Sequence, residues 1–373
     1  MKLREHQAKD VFARYGIPVP RGEVVTTVAE AVRAAERLGG AVVLKPQLGV
    51  KGRGKVGGIG FAADVAEAEH EAARLLGAEV RGERVSTLLV EQRAEILREL
   101  YLAVTVDYAA RRPVLMASAA GGVEIERAAG TDPSVLLRIP CSILEDPSPE
   151  LLAPVVDAVG AGAAAVLARL YRIFRDHEAE MVEINPLVET PAGLLAVDAV
   201  LNVNESAVAR HPELQELAAR IPAADPLAEE ARARKWTYID LEGDIGILSS
   251  GAGLTMTILD MITERGGTAA NFLDTAQIDE QGIYDAFELL HRARPPRVWL
   301  VNIFAGLNRC DKLAEGLLAF LRDHPLDQPL VVRMVGSLEE EGHRLLRAAG
   351  IEPVTEIEDA VDRCLAVAGG GAS

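Results

Sequence analysis

A glycine-rich basic segment, GVKGRGKVGGIG, follows the apolar run AVVLKP. Six of the twelve residues of Gly49–Gly60 are glycine and three are basic. Glycine lets backbone N–H groups crowd around phosphate oxygens, and Lys51, Arg53 and Lys55 add positive charge. Lys45, at the end of the preceding predicted strand, can reach the same phosphates. The segment joins two predicted strands and lacks the P-loop pattern, so a phosphate cradle and a surface hairpin both remain open.

The segment EMVEINPLVETPAGLLAVD places Glu183, Asn185 and Asp198 on two predicted strands. Amide and carboxylate oxygens are hard ligands that suit Mg²⁺, which keeps several waters and bridges to substrate phosphates. Taken alone, these residues fit a polar-faced hairpin equally well. Their occurrence together with the basic glycine segment favours a Mg²⁺–nucleotide site.

The segment LLVEQRAEILREL predicts a buried strand that runs into polar residues. These polar residues either line an adenine pocket or begin an ordinary helix. The pattern fits both interpretations.

Length and composition limit the class of protein. A chain of 373 residues, 49% hydrophobic and 25% charged, predicts a globular protein of two or three domains. Its net charge of −17 argues against a nucleic-acid surface. The N-terminus lacks the apolar core of a signal peptide, and no apolar stretch is long enough to span a bilayer. Three scattered cysteines suit reduced thiols, so a cytoplasmic location is expected.

Two domains are predicted. Residues 1–234 mix helices with strands of antiparallel character, which predicts an α+β domain that ends in a polar linker helix around Ile221–Arg234. This part includes one long alanine-rich helix, at about 150–175, and a strand pair formed by EMVEINPLV and GLLAVDAV. Residues 235–373 alternate strands with helices, which predicts an α/β domain with a doubly wound parallel sheet.

Motifs along nearly the whole chain resemble those of the β subunits of succinyl-CoA synthetases, ADP- or GDP-forming. The matching segments, in order, are EHQAKDVFARYGIPVP, GVKGRGKVGGIG, ELYLAVTVD, MASAAGGVEIE, EINPLV, GAGLTM, NFLD and VNIFAGLNRCD. The resemblance implies an ATP-grasp nucleotide-binding domain followed by a flavodoxin-like CoA-ligase domain. It also implies that the glycine-rich segment is the ATP-grasp phosphate loop.

The resemblance assigns roles to individual residues of the first domain. Lys45 matches the phosphate-contacting lysine, and Asn185 and Asp198 match the Mg²⁺ ligands. Glu183 matches the catalytic acid that contacts a phosphorylated histidine. The remaining nucleotide-contact positions are Gly52, Arg53, Gly54, Glu91, Ala94 and Glu99.

In the second domain the resemblance implies a substrate site at Ser250 and at Gly306, Leu307 and Asn308. The last three match the start of a helix that faces the phosphohistidine. An α-type partner subunit is expected to carry this histidine and to bind most of CoA. None of the seven histidines of this chain lies in a glycine-rich loop, which agrees with that division.

Several substrate-site positions differ from the family pattern. Ala276–Ile278, which follow Thr275, replace three glycines, and this change is expected to remove φ > 0 freedom and to fill space near an anion. In the same domain Ser250 replaces an asparagine and Ala305 a glycine, and in the first domain Val200 replaces a lysine two positions after Asp198. Because these changes cluster while the nucleotide residues persist, they favour a changed acid, such as malate, over succinate.

The reaction implied is acid + CoA + ATP (or GTP) giving acyl-CoA, nucleoside diphosphate and phosphate, with Mg²⁺ as cofactor. The acid is succinate or a related dicarboxylic or hydroxy acid. Two alternatives remain open: a non-catalytic nucleotide-binding regulatory subunit with the same fold, and a stand-alone ATP-grasp carboxylate ligase.

Overall fold

The computed structural model describes residues 1–48, 58–80, 82–122, 125, 132–218 and 225–369. The chain forms two compact units, Met1–Pro222 and Ala223–Ser373. The sequence had placed the boundary after Arg234. The polar helix Pro226–Ala233, interpreted there as a linker, instead belongs to the second unit, where Ala231 is part of the core.

The first unit begins with a small four-stranded sheet of order β1-β6-β2-β3. Its strands are β1 (Gly22–Val25), β2 (Val42–Pro46), β3 (Gly60–Ala62) and β6 (Leu88–Gln92). Helices α2 (Val28–Leu38) and α3 (Val65–Leu75) cover one face, where Leu44 and Val90 are fully buried. A two-residue pair, β4 (Glu79–Val80) and β5 (Glu83–Arg84), follows α3. The opposite face of the sheet carries both polar and apolar side chains, among them Lys45, Glu91, Val43 and Phe61.

A second sheet in the same unit has the order β11-β10-β7-β8-β9, and β12 also pairs with β10. Its strands are β7 (Arg98–Asp107), β8 (Arg112–Ser118), β9 (Leu137–Pro140), β10 (Ala179–Thr190), β11 (Gly193–Ala196) and β12 (Val200–Val203). The helices of this part are α1 (Glu5–Arg14), α4 (Pro149–Val159), α5 (Ala161–Asp176) and α6 (Pro212–Ala218). Short 3₁₀ helices lie at Pro133–Val135 and Glu205–Arg210. The core between helices and sheet includes the fully buried Phe12 and Tyr171.

Two predicted elements are each interrupted. The alanine-rich helix at about 150–175 is two helices, α4 and α5, because Gly160 adopts φ 88° and ψ 157° between them. Only glycine takes up such a conformation without steric cost. The strand predicted from GLLAVDAV is likewise two strands, β11 and β12, with Asp198 in the gap.

The second unit contains a five-stranded sheet of order β13-β15-β14-β16-β17. Its strands are β13 (Thr237–Asp240), β14 (Ile245–Ser249), β15 (Asn271–Asp274), β16 (Val298–Ala305) and β17 (Leu330–Gly336). The helices are α7 (Pro226–Ala233), α8 (Ala252–Glu264), α9 (Glu280–His291), α10 (Cys310–Asp323), α11 (Glu339–Ala348) and α12 (Ile357–Gly369). Four strands are parallel and carry apolar cores on both faces, which confirms the doubly wound prediction. The antiparallel edge strand β13 was not predicted.

Within the described part of the chain, no helix combines the length and the apolar character that crossing a bilayer requires.

We expect Gly316→Ala to destabilise the second unit. A Cβ at Gly316 in α10 would lie 2.1 Å from the backbone oxygen of Glu280, so α9 and α10 must move apart. Such overpacking costs about 1–3 kcal/mol. Gly253→Ala is the matched control, because nothing lies within 4 Å of the added Cβ and alanine favours the helix by up to about 1 kcal/mol. Urea unfolding midpoints should fall for the first variant and rise or stay for the second; equal midpoints would contradict the close packing.

Candidate active site

A cavity of about 1020 Å³ lies in the first unit, between the two sheets. The nucleotide, metal and catalytic residues predicted for this unit line it, apart from the glycine-rich segment: Lys45, Glu91, Ala94, Glu99, Glu183, Asn185 and Asp198. These residues are up to 153 positions apart, between Lys45 and Asp198 (198 − 45), and the fold brings them to one place. Gly52, Arg53 and Gly54 lie outside the described residues.

Strand pairing explains why Lys45 and Glu91 meet. Strands β2 and β6 are antiparallel, and Lys45 is opposite Leu89 while Val43 is opposite Glu91. Because side chains alternate along a strand, Lys45 and Glu91 point to the same face, away from the apolar core. That face lines the cavity.

Helix α1 adds two residues that sequence analysis missed, Glu5 and Lys9. The Lys9 Nζ lies 2.9 Å from Glu5 Oε1, 2.6 Å from Glu91 Oε1 and 2.9 Å from the backbone oxygen of Val197. The Lys45 Nζ lies 2.9 Å from Glu5 Oε1 and 2.8 Å from Glu91 Oε2, and it also donates to the Val197 oxygen. We call Glu5, Lys9, Lys45 and Glu91 the four-charge cluster. Both lysines therefore share the same three acceptor groups.

A sequence signal for Lys9 existed. Glu5 and Lys9 are four residues apart, and Lys9 falls on the helix face that also buries Ala8 and Phe12. A lysine on the apolar face of a helix is rarely buried unless it is paired. Here its side chain is only 5% exposed, and both carboxylates of the cluster are 3% exposed.

The two lysines of the cluster differ in their pKa shifts. Burial lowers the pKa of Lys9, although the carboxylates of Glu5 and Glu91 partly offset this effect. Burial also acts to lower the pKa of Lys45, but the charges of Glu5, Glu91 and Asp198 outweigh it and raise that pKa. Lys45 is therefore held firmly in its charged form, the form that an anionic ligand needs.

Asn185 and Asp198 both lie where regular strand pairing is interrupted, at the same position along β10. Strand β10 pairs with β12 through Glu183 and with β11 from Leu187, and its register with β7 shifts between Ile184 and Leu187. Asn185 lies in that shift, and Asp198 lies in the gap between β11 and β12. Both residues line the cavity.

The donor set at this point fits Mg²⁺. The Asn185 Oδ1 accepts a bond of 2.7 Å from the Gly122 N–H, and the Asp198 Oδ1 accepts one of 2.9 Å from the Ala199 N–H. Carbonyl and carboxylate oxygens can accept more than one contact, and Mg²⁺ takes few protein ligands and keeps its waters. No group of three or more His, Cys, Asp or Glu side chains suited to a metal occurs among the described residues, so a cage made by protein alone is not present there.

Part of the cavity lining is apolar. Val43, Leu48, Phe61 and Ile96 contribute to it, and the chain segment that follows β6 also lines the cavity. Phe61 and Ile96 are 61% and 47% exposed, which leaves apolar surface accessible for a flat ring. The segment after β6 is therefore a cavity wall, and the alternative of an ordinary helix at this point is wrong, since the chain enters β7 instead.

Glu99 is held close to the loop that follows β8. A Cβ on Gly122 would lie 2.4 Å from Glu99 Oε2, and Gly122 has φ +66°. The positive φ favours glycine at this position, and an added Cβ would displace the Glu99 carboxylate. The same glycine donates to Asn185, so it connects a predicted nucleotide position with a predicted metal position.

The predicted substrate residues Ser250, Gly306, Leu307 and Asn308 lie in the second unit, beyond the carboxyl ends of β14 and β16. The Ser250 Oγ accepts a bond of 3.3 Å from the Phe304 N–H. Gly306 to Asn308 precede α10, which begins at Cys310, and Leu307 is 80% exposed. The Asn308 Nδ2 donates to the Ile278 oxygen, so these loops contact each other.

The segment that replaces the three glycines behaves differently from the expectation. Ala276 adopts φ 51°, so the loss of glycine has not removed the left-handed conformation. Ile278 is 7% exposed and packs in the apolar core of this unit, so its side chain does not fill the space above the sheet. Thr275 is also buried, and Gln277 is exposed. The side chains of Thr275 and Ile278 thus turn into the interior of this unit.

A further polar chain near this edge was not predicted. The Arg333 Nη1 donates to Asn302 Oδ1 at 2.9 Å, and the Asn302 Nδ2 donates to Ser249 Oγ at 3.0 Å. Asn302 and Ser249 are fully buried, and burial lowers the pKa of Arg333. Arg333 lies within β17, and its Nε also donates to the Thr355 oxygen at 2.7 Å. A half-buried guanidinium of this kind can bind a carboxylate through its remaining N–H groups.

Comparisons with known proteins agree with both units. Residues 2–189 match a family model described as an ATP-grasp domain, and residues 248–366 match one described as CoA-ligase. Among solved structures, ATP citrate lyase from Methanothrix soehngenii, in complex with citrate and coenzyme A, has a TM-score of 0.70 and 19% sequence identity. It covers 98% of this chain and 99% of its own, and at this identity it shows the fold alone.

Curated relatives are similar over the full length. The β subunit of ADP-forming succinate–CoA ligase from Chloroflexus aggregans is 40% identical over 380 aligned positions, covering 99% of each chain. That of Rubrobacter xylanophilus is 41% identical, covering 97% of this chain and 96% of the relative. Subunit β 1 from Archaeoglobus fulgidus is 40% identical, covering 99% and 100%.

Fold and cavity define the class as a nucleotide-using acid–thiol ligase built from an ATP-grasp and a CoA-ligase domain. The chain belongs to the β-subunit family of ADP-forming succinate–CoA ligases, enzymes made of two kinds of chain. The predicted resemblance is thereby confirmed, and the alternative of a stand-alone ligase is wrong.

We expect Ala276→Gly to stabilise the chain. A non-glycine residue at φ 51° carries a steric cost that glycine does not have, and its removal should raise stability by up to about 1 kcal/mol. Ala63→Gly is the control, because Ala63 is exposed and is not among the residues with positive φ. There glycine should lower stability by about 0.4–1 kcal/mol, because it adds conformational freedom to the unfolded chain. Urea midpoints that moved in the same direction for both variants would contradict the strain at Ala276.

Proposed function

We propose that this chain binds Mg²⁺–ATP in the cavity of its first unit and transfers the γ-phosphoryl group to a histidine of an α-type partner subunit, with release of ADP. The phosphohistidine then passes the phosphoryl group to the acid, and CoA displaces phosphate from the resulting acyl phosphate. The acid is a four-carbon dicarboxylic acid. The observation that carries the proposal is the convergence of Lys45, Asn185 and Asp198 on one cavity whose lining also includes apolar residues. The proposed reaction converts acid, CoA and ATP to acyl-CoA, ADP and phosphate.

The charged residues of the cavity suit the phosphates. Lys45 neutralises developing charge on them, while Asn185 and Asp198 would hold Mg²⁺, which would supply further positive charge for the phosphates. The apolar lining residues Phe61 and Ile96 accept the base. Catalysis of phosphoryl transfer is then mainly a matter of positioning and charge neutralisation.

A partner histidine is needed because this chain offers none at the site. All seven histidines lie among the described residues, and none lines the cavity. His177 and His343 are buried and contact the backbone oxygens of Ile173 and Met334. The phosphoryl carrier must therefore come from another chain, with Glu183 on the cavity wall as the proposed acid that meets it.

For the acid, two observations favour a substrate like that of the named relatives, succinate, over a remodelled site. Ala276 keeps a glycine-like conformation, and Ile278 turns into the core. Because of these two features, we expect the glycine replacements to change the acid-binding site little. Arg333, with Asn302 behind it, is the proposed carboxylate contact. Malate is the competing substrate that the sequence departures suggest.

We expect Lys45→Met to abolish phosphorylation of the partner histidine by ATP while the two subunits still assemble. The change removes a cation that lines the cavity but keeps an unbranched side chain of similar length. The measurement is acid-labile phosphate on the partner after incubation with γ-labelled ATP and Mg²⁺. Lys312→Met is the control, because Lys312 is an exposed residue of α10 that pairs with Glu315. Labelling of the Lys45 variant at the normal rate would mean that the site assignment is wrong.

The acid is tested by discharge of the same label. We expect succinate plus CoA to discharge the labelled wild-type complex faster than malate plus CoA. Arg333→Met should slow the discharge but not the labelling, because Arg333 belongs to the second unit. Preference for malate would establish the changed-acid alternative. A complex that binds nucleotide but never labels would establish the regulatory alternative.

A further inference from the structure

In the four-charge cluster, Lys45 already has a full set of hydrogen-bond acceptors within the protein before any phosphate binds. A lysine ammonium has three N–H donors. Those of Lys45 are all engaged, by Glu5, Glu91 and the Val197 oxygen. Contact between Lys45 and a phosphate therefore requires Lys45 to release at least one of these acceptors.

Lys9 is bonded to the same acceptors as Lys45. It contacts Glu5 Oε1 at 2.9 Å, Glu91 Oε1 at 2.6 Å and the Val197 oxygen at 2.9 Å. When Lys45 turns toward a ligand, each released acceptor still has Lys9 as a partner. No carboxylate is then left buried without a cation, which is the costly situation for such groups.

Charge balance leads to the same conclusion. Two ammonium groups face two carboxylates, so the cluster is neutral. Without Lys9, two buried carboxylates would compete with the nucleotide phosphates for the single charge of Lys45. They would also repel the phosphates directly, and juxtaposed like charges are strongly unfavourable.

We infer that Lys9 is a positioning residue for nucleotide binding: it holds Glu5, Glu91 and the Val197 backbone so that Lys45 can exchange a carboxylate for a phosphate. Lys9 acts through Lys45 and does not line the cavity itself. The Val197 contact extends its effect to the chain segment that carries Asp198. The inference rests on the proposed function, in which Lys45 contacts phosphate.

The inference predicts effects of opposite sign for two residues on one helix. Lys9→Met should weaken binding of Mg²⁺–ADP by roughly tenfold to hundredfold, because it leaves excess negative charge beside Lys45. Glu5→Gln should strengthen binding by roughly twofold to tenfold, because Lys45 loses a competing acceptor. The double variant Glu5→Gln/Lys9→Met restores neutrality and should bind within about threefold of wild type. A residue that only stabilises the fold would weaken binding in every one of these variants.

The experiment is isothermal titration of Mg²⁺–ADP into the assembled two-chain enzyme. The exposed pair Glu23 and Arg37 of the same unit supplies the controls Glu23→Gln and Arg37→Met, for which no change is expected. Each variant is also unfolded in urea, so that binding is compared only between folded proteins. If Lys9→Met does not fold, Glu5→Gln and the double variant still carry the test.

Three outcomes would overturn the inference: unchanged affinity in Lys9→Met, weaker binding in Glu5→Gln, or a double variant that binds no better than Lys9→Met. Failure of the proposed function is a separate result. It would be seen as normal Mg²⁺–ADP affinity in Lys45→Met, whereas failure of the inference alone leaves that variant unable to bind.

Discussion

The four-charge cluster is the interaction on which the site in the first unit depends. It joins the first helix to β2 and β6 of the small sheet and, through the Val197 oxygen, to the segment between β11 and β12. Each of these segments also lines the cavity. Because buried charges are stable only when all are paired, the positions of these segments are interdependent. Removing one member of such a set typically costs 3–5 kcal/mol.

This arrangement also explains why α1 is as important to the site as the strands. Its apolar face, with Val11 and Phe12, anchors it in the core of the larger sheet. Glu5 and Lys9 then extend from a rigid element to residues of the smaller sheet. A charged group held by a helix that is itself packed keeps its geometry better than one held by a loop. The helix therefore couples packing in one sheet to charge placement on the other.

Much of the fold followed from the sequence, and the errors have identifiable physical causes. Alternating strands and helices after Lys235 predicted the parallel sheet, because apolar periodicity is strong there. The break at Gly160 was missed, since alanine-rich composition on both sides gives a continuous helical pattern while one glycine changes the backbone direction. Strand β13 is a short edge strand of four residues with one buried side chain. Its sequence therefore shows no clear alternation of apolar and polar residues.

For the site, residue types and family motifs predicted which residues line the cavity, but not the contacts that hold them in place. Lys45, Asn185 and Asp198 were identified because their chemistry suits phosphate and metal. Lys9 was missed because the pairing of Glu5 with Lys9 along the helix shows only a local contact, whereas its role also depends on Glu91 and Val197, 82 and 188 positions away. The conformation of Ala276 was misjudged for a related reason. Steric preference disfavours φ > 0 for alanine, but the surrounding contacts of the loop, including the bond from its N–H to Asp274, enforce it.

The switch of β10 from β12 to β11 restricts how this chain can vary in length. Asn185 lies on one arm of the β10–β11 hairpin and Asp198 follows the other, and the register pairs Thr190 with Gly193 across the turn at Pro191 and Ala192. An insertion of one residue in that turn would shift the second arm by one position and turn its side chains to the opposite face. Asp198 would then lose its place opposite Asn185. Insertions and deletions should therefore be tolerated in the surface loops of this unit but not in this two-residue turn.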